Sequence, residues 1–137
     1  TKRYGGLMST SELPTSVSLL CGPVSAVDLS LFAAASGDHN PLHLDNEFAS
    51  ASGFERPLVH GMLSMAYVGR LLTQHFGSCS VVYLHTRFTG TAQRGEILRL
   101  SATFDRVENA LGLYTISVNN ERGQELITGT AKIQPSG

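Results

Sequence analysis

The chain lacks tryptophan, has only two cysteines, and carries no run of like charge. Cys21 and Cys79 stand far apart and form no C-x-x-C pair, which argues against a disulfide scaffold and against a cysteine metal cluster. A basic stripe is missing and the formal net charge is −1, so a nucleic-acid partner is not expected. Gly, Ser, His or Arg interrupts every apolar stretch well short of the ~18 residues a membrane helix needs, so no membrane span is expected. There is no G-x-S-x-G and no glycine-rich phosphate loop, which disfavours a serine hydrolase and a nucleotide cofactor. Internal repeats and low-complexity blocks are absent too.

What remains is an ordinary globular composition, with 42% hydrophobic and 15% charged residues in 137. That length suits one domain with a real core. Residues 1–15 read as a flexible lead and 16–137 as a single domain. The lead opens on Thr1 rather than Met, carries Lys2 and Arg3, and has Glu12 as its sole acid. A basic, Ser-rich, acid-poor lead is weakly like the end of an organelle transit peptide, and a plain flexible terminus fits it equally well. A soluble intracellular protein is expected, mitochondrial if the source is eukaryotic.

The first half mixes one strand with helices. Val17 to Val24 alternates loosely and ends at Gly22-Pro23. Ser25 and Asp28 are spaced as a capping box, opening a helix that carries Leu29, Phe32 and Ala33 on one side. Asp38-His39-Asn40-Pro41 is turn chemistry, and Asp45 is placed to cap a short helix through Ala49. Gly61 to Phe76 is the longest helical segment. It is apolar nearly all round and is therefore expected to be buried. From Ser80 the period becomes two: Val82, Leu84, Thr86, Phe88; Leu98, Leu100, Ala102, Phe104; Tyr114, Ile116, Val118; Ile127, Ala131, Ile133. Turns fall at 89–95, 109–112 and 119–123. This order predicts an α+β arrangement in which an antiparallel sheet wraps around the buried helix. Its open edges suggest pairing across a two-fold axis, hence a homodimer.

Titratable residues concentrate between Asp38 and His60. On spacing alone, DHNP is a turn, His43 a satisfied or surface histidine, and His60 a brace for the Pro57 loop. His39, His43 and Asp45 make a conceivable metal set, but their spacing matches no familiar zinc motif. The same residues also suit acid–base chemistry. Adding water to a conjugated thioester needs a group to hold the water, an acid for the α-carbon, and donors for the enolate oxygen. An Asp–His pair suits the first two. The amide of Gly61, at the head of the buried helix, suits the third, because helix N-termini carry unpartnered N–H groups.

Phe32-Ala-Ala-Ala-Ser-Gly-Asp-His-Asn-Pro-Leu-His43, followed by Asp45, Phe48, Ala49, Phe54, Pro57 and Val59-His-Gly-Met62, resembles the MaoC-like family. That family includes (R)-specific enoyl-CoA hydratases and 3-hydroxyacyl-thioester dehydratases. The resemblance spans roughly residues 16 to 134. It implies a hot-dog fold, with a curved antiparallel sheet around a central helix, and a homodimer. It implies no metal and no redox cofactor, with CoA or a phosphopantetheine arm only as carrier of the substrate. The implied reaction is reversible hydration of trans-2-enoyl thioesters to (R)-3-hydroxyacyl thioesters of CoA or acyl-carrier protein. Asp38 and His43 would be the catalytic pair, Gly61 the oxyanion donor, Asn40 and His60 supporting residues, and Leu72 part of the acyl tunnel. Two departures stand out. Phe88-Thr-Gly-Thr-Ala-Gln-Arg-Gly95-Glu96 lacks a Pro common in relatives and has Glu for Asp, and Gly69 stands where some hydratases have Ser. A hot-dog thioesterase, or a non-catalytic acyl-thioester-binding module, remains the alternative reading.

Overall fold

A computed structural model describes residues 12–135. The element order is β1 (Ser16–Cys21), α1 (Ala26–Ser36), a 3-10 turn (Pro41–His43), α2 (Asn46–Ala51), α3 (Gly61–Phe76), β2 (Val81–Phe88), β3 (Leu98–Glu108), β4 (Leu111–Asn119) and β5 (Glu125–Ile133). The strands form one sheet in the order β1-β3-β4-β5-β2, and every neighbouring pair is antiparallel. Alternation sets the buried face. Leu98, Leu100 and Ala102 of β3, Tyr114, Ile116 and Val118 of β4, and Ile127, Ala131 and Ile133 of β5 all turn into the core. Across that floor Leu100 opposes Val118 and Val118 opposes Ile127, while Ala102, Ile116 and Gly129 make the next row. Val68, Leu71 and Leu72 of α3 lie in the same core, fully closed from solvent. Burying each of these side chains contributes roughly 1.5–3 kcal/mol, so α3 is held chiefly by its packing against the sheet.

The local signals behave as their chemistry requires. Ser25 Oγ accepts from the Asp28 amide at 3.1 Å and Asp28 Oδ2 accepts from the Ser25 amide at 2.8 Å, closing the capping box of α1. Gly37 ends that helix with φ 80°, a conformation that favours glycine. Asp45 Oδ1 accepts from the amides of Glu47 and Phe48 and starts α2.

Three sequence expectations need correction. β1 stops at Cys21 instead of running to Val24, because Gly22 turns the chain at φ 113°. Val24 is still tied down, its amide donating to the Glu96 carbonyl at 3.1 Å. Val82 leaves the inner face of β2, because the register slips between Val81 and Tyr83. Nor is α3 buried all round: Met62 is 60% exposed and Ala66 also faces outward. Phe88, at the end of edge strand β2, is 50% exposed. Within the stretch expected as a lead, residues 1–11 lie outside the described residues. Further along it, the Pro14 carbonyl accepts from the Tyr114 hydroxyl at 2.5 Å, and the Thr15 carbonyl from the Phe104 amide at 2.8 Å. No helix among the described residues is long and apolar enough to cross a membrane.

Candidate active site

The turn after α1 brings Asp38 and His43 together. Asn40 shapes it: its side-chain oxygen accepts from the Leu42 amide at 3.0 Å, and Pro41 starts the 3-10 turn that ends on His43. No hydrogen bond joins the Asn40 side chain to Asp38 or His43, so its place is in the loop. Asp38 Oδ1 accepts from the Asn40 amide at 3.3 Å, which leaves Oδ2 facing His43 Nε2 at 3.5 Å. The Asp38 side chain is 51% exposed and that of His43 only 13%, so the carboxylate lies on the open side of the pair.

A short extended segment fixes the tautomer of His43. Its Nδ1 lies 2.9 Å from the Leu58 carbonyl, which can only accept, so Nδ1 carries a proton. Nε2 is then the nitrogen free to exchange a proton at the Asp38 side. Leu58 is held by an isolated bridge to Gln93, and the Val59 amide donates to the Ala92 carbonyl at 2.8 Å. The Leu58 carbonyl was invisible to motif reasoning. Pro57, which keeps this segment extended, was the nearest signal.

His60 joins the site from below. Its ring stacks on His43 with centroids 3.8 Å apart and planes 21° from parallel. Its Nε2 donates to the Asp38 carbonyl at 3.2 Å, and the Phe32 ring, tilted by 58°, packs against it at 4.9 Å. Burial pushes the His60 pKa below its ordinary value, and the positive charge that His43 can carry adds to this. The carbonyl bond and the Asp38 carboxylate pull the other way.

Gly61 begins α3, and no side chain caps this helix. Its amide has no hydrogen-bond partner among the described residues and sits at the positive end of the helix dipole. Beside it lies a cavity of about 120 Å³ whose walls include Val59, Gly61, Ser64, Phe88, Leu126 and Ile127. Leu72, expected along an acyl tunnel, is closed inside the core at 0% exposure and does not line this cavity. Its burial is the packing reason: Leu72 fills the space between α3 and the sheet. A larger hollow of about 550 Å³ runs along β1 and β3, away from the Asp–His pair.

Asp38, His43 and His60 offer donor atoms within 4.8 Å of one another, close enough to raise the question of a metal ion. The stacked rings answer against it. An imidazole lone pair lies in the ring plane, and an ion roughly 2.0–2.1 Å from both nitrogens would sit far out of at least one plane. The other conceivable set is not assembled: His39 points to solvent, and Asp45 is committed to capping α2.

The chain matches the MaoC like domain over residues 11–125. It is 33% identical over 116 residues to the (R)-specific enoyl-CoA hydratase of Aeromonas caviae, covering 80% of this chain and 84% of that protein. With the mitochondrial 3-hydroxyacyl-acyl-carrier-protein dehydratase of Arabidopsis thaliana the identity is 40% over 77 residues, covering 56% of this chain and 46% of that one. Other relatives are far longer: the chain spans 12% of the mouse peroxisomal multifunctional enzyme type 2. Among solved structures, the (R)-hydratase of A. caviae superposes with a TM-score of 0.83 at 27% identity, covering 92% of this chain and 99% of that one. The unliganded R-hydratase of Pseudomonas aeruginosa gives 0.85 at 27% identity, with 96% and 88% covered. These matches, over a curved five-stranded antiparallel sheet with a central helix, settle the hot-dog architecture. The chain belongs to the MaoC-like domain family.

Proposed function

We propose that this chain is a hydro-lyase of fatty-acid metabolism that interconverts trans-2-enoyl and (R)-3-hydroxyacyl thioesters. The observation that carries the reading is the Asp38–His43 pair, 3.5 Å apart, with His43 Nδ1 held by the Leu58 carbonyl. The hydratase and dehydratase activities named for its relatives support it. In the hydration direction the Asp38 carboxylate takes a proton from water as the oxygen bonds to C3. The C2–C3 π electrons shift toward the thioester carbonyl, and the Gly61 amide donates to the enolate oxygen. Imidazolium Nε2 of His43 then delivers a proton to C2. Transfer of the proton from Asp38 to His43 restores the starting state. Overall one water adds, with hydroxyl on C3 and hydrogen on C2. Nothing is oxidised or reduced, so the reading needs no redox group, and with Asp38 and His43 carrying the protons and the Gly61 amide meeting the enolate oxygen it invokes no metal.

The carrier is CoA or acyl-carrier protein, whose phosphopantetheine thioesters share the reacting group. The protein is read as a homodimer: among the described residues edge strand β2 has no neighbour on its outer side, and Val82 and Phe88 leave apolar side chains exposed along it. The test is loss of enoyl absorbance with crotonyl-CoA, with free thiol measured in parallel. Hydration without thiol release supports the reading. Thiol release without hydration would establish a thioesterase instead, and binding without turnover on any enoyl thioester would leave a carrier-binding module.

A further inference from the structure

We propose that His60 is a positioning residue for this reaction: its neutral ring, stacked on His43, in contact with Phe32 and hydrogen-bonded to the Asp38 backbone, sets the spacing of the catalytic pair and must stay unprotonated during turnover. The inference rests on the hydratase reading above. One buried side chain touches both partners of the pair. Nε2–H donates to the Asp38 carbonyl at 3.2 Å, and the ring covers His43 at 3.8 Å. Phe32 on α1 packs against the same ring at 4.9 Å, and His60 is 1% exposed, so the ring is held in place by its neighbours. The next residue along the chain is Gly61, whose amide would meet the substrate oxygen.

The tautomer is forced by the same contacts. The Asp38 carbonyl only accepts, so the proton of a neutral His60 is on Nε2 and Nδ1 presents a lone pair. That Nδ1 is buried and has no hydrogen-bond partner. An orphaned acceptor in a site 1% exposed is unfavourable, and an apolar ring would fill the space without it. Retaining imidazole makes sense if the bond to Asp38 matters. Charge makes the second half of the case. Among the described residues, the titratable groups whose charge acts on His60 are Asp38 and His43, and α1 meets it with the uncharged Phe32. His43 must become an imidazolium to protonate C2. A neutral ring stacked on it is compatible with that charge, and its π face favours a cation. A second imidazolium at 3.8 Å would oppose it. Burial already biases His60 toward the neutral form.

Two substitutions separate the functions. His60→Gln keeps an N–H for the Asp38 carbonyl and loses the ring. His60→Phe keeps the stack and loses the donor. Both are compared with wild type on crotonyl-CoA, reading kcat, KM and the acid limb of the kcat–pH profile. The expected result is a kcat loss of about tenfold or more in each, with KM changed by less than about threefold, as for groups acting in the transition state. The acid limb should move to lower pH in His60→Phe, since the ring whose protonation opposes the His43 imidazolium is gone. Folded variants with wild-type kcat and an unmoved acid limb would reduce His60 to packing and overturn the proposal. Histidine ¹⁵N shifts of the wild-type protein at neutral pH give a second reading, independent of turnover and of whether the variants fold. They should report the Nε2–H tautomer at His60; an Nδ1–H tautomer or an imidazolium would also overturn it. If the wild type hydrates no enoyl thioester, the hydratase reading fails, whereas the tautomer remains testable.

Discussion

His43→Asn is the sharpest perturbation of the catalytic pair. The Asn amide nitrogen reaches about where His43 Nδ1 sits, so the hydrogen bond to the Leu58 carbonyl, 2.9 Å in the native site, is kept while Nε2 is deleted. His43→Gln does the opposite, reaching toward Asp38 but releasing Leu58. Neither can pass a proton to C2. Losing a group that acts in proton transfer costs about 10²-fold or more in rate, and 10²-fold corresponds to about 2.7 kcal/mol of barrier. The stability effect is expected to be much smaller. Asp38 is half exposed, so the pair itself contributes less than about 1 kcal/mol to folding. The Leu58 hydrogen bond is partly buried and contributes about 1 kcal/mol, which His43→Gln loses and His43→Asn retains. Initial rates with crotonyl-CoA, followed as loss of enoyl absorbance, together with urea melts, separate the two effects. Both variants, and Asp38→Asn beside them, should lose at least about 10²-fold in kcat/KM, with His43→Asn the more stable of the His43 pair by about 1 kcal/mol. Folded Asp38→Asn and His43→Asn proteins working at wild-type rates would refute the mechanism outright.

The cavity beside Gly61 holds about 120 Å³, less than the ~150 Å³ that accommodates a benzene-sized molecule, so short acyl chains should be the better substrates. Phe88 walls it and lies 3.3 Å from where a Gly61 methyl would be; Phe88→Ala should raise the octenoyl-to-crotonyl ratio of kcat/KM, and an unchanged ratio would place the acyl chain elsewhere. Leu71→Ala removes a fully buried α3 side chain and should cost about 2–5 kcal/mol in a denaturant melt. Burial pushes the Tyr114 hydroxyl up to about 12, above its ordinary ~10. The unfolded chain therefore ionises first, and this stabilisation is complete below pH ~10 and lost as pH rises toward about 12. Tyr114→Phe should flatten the fall in Tm over that alkaline range, while costing about 1 kcal/mol at neutral pH for the lost bond to the Pro14 carbonyl.

The parts of this molecule legible in its sequence are those decided by near neighbours. Ser25 and Asp28 are three apart and close their capping box with no help from the rest of the fold. Period-two runs on β3, β4 and β5 bury the face they advertise, because each strand has a partner on both sides. Legibility fails where distant segments decide. Val82 follows the alternation in sequence but not in space, since its position depends on how β2 meets β5. Met62 and Ala66 look as apolar as Val68, yet only the latter faces the sheet. The active site repeats this division at smaller scale. The motif around Asp38 and His43 specifies the reagents and, through Asn40 and Pro41, the turn that brings them within 3.5 Å. It is silent on which imidazole nitrogen carries the proton. That is settled by the Leu58 carbonyl, itself positioned by pairing with Gln93, while His60, packed against Phe32 of α1, supports the ring by stacking on it. A motif of this kind therefore predicts the class of reaction, while the direction in which its histidine can give a proton is a property of backbone and rings supplied by the rest of the chain.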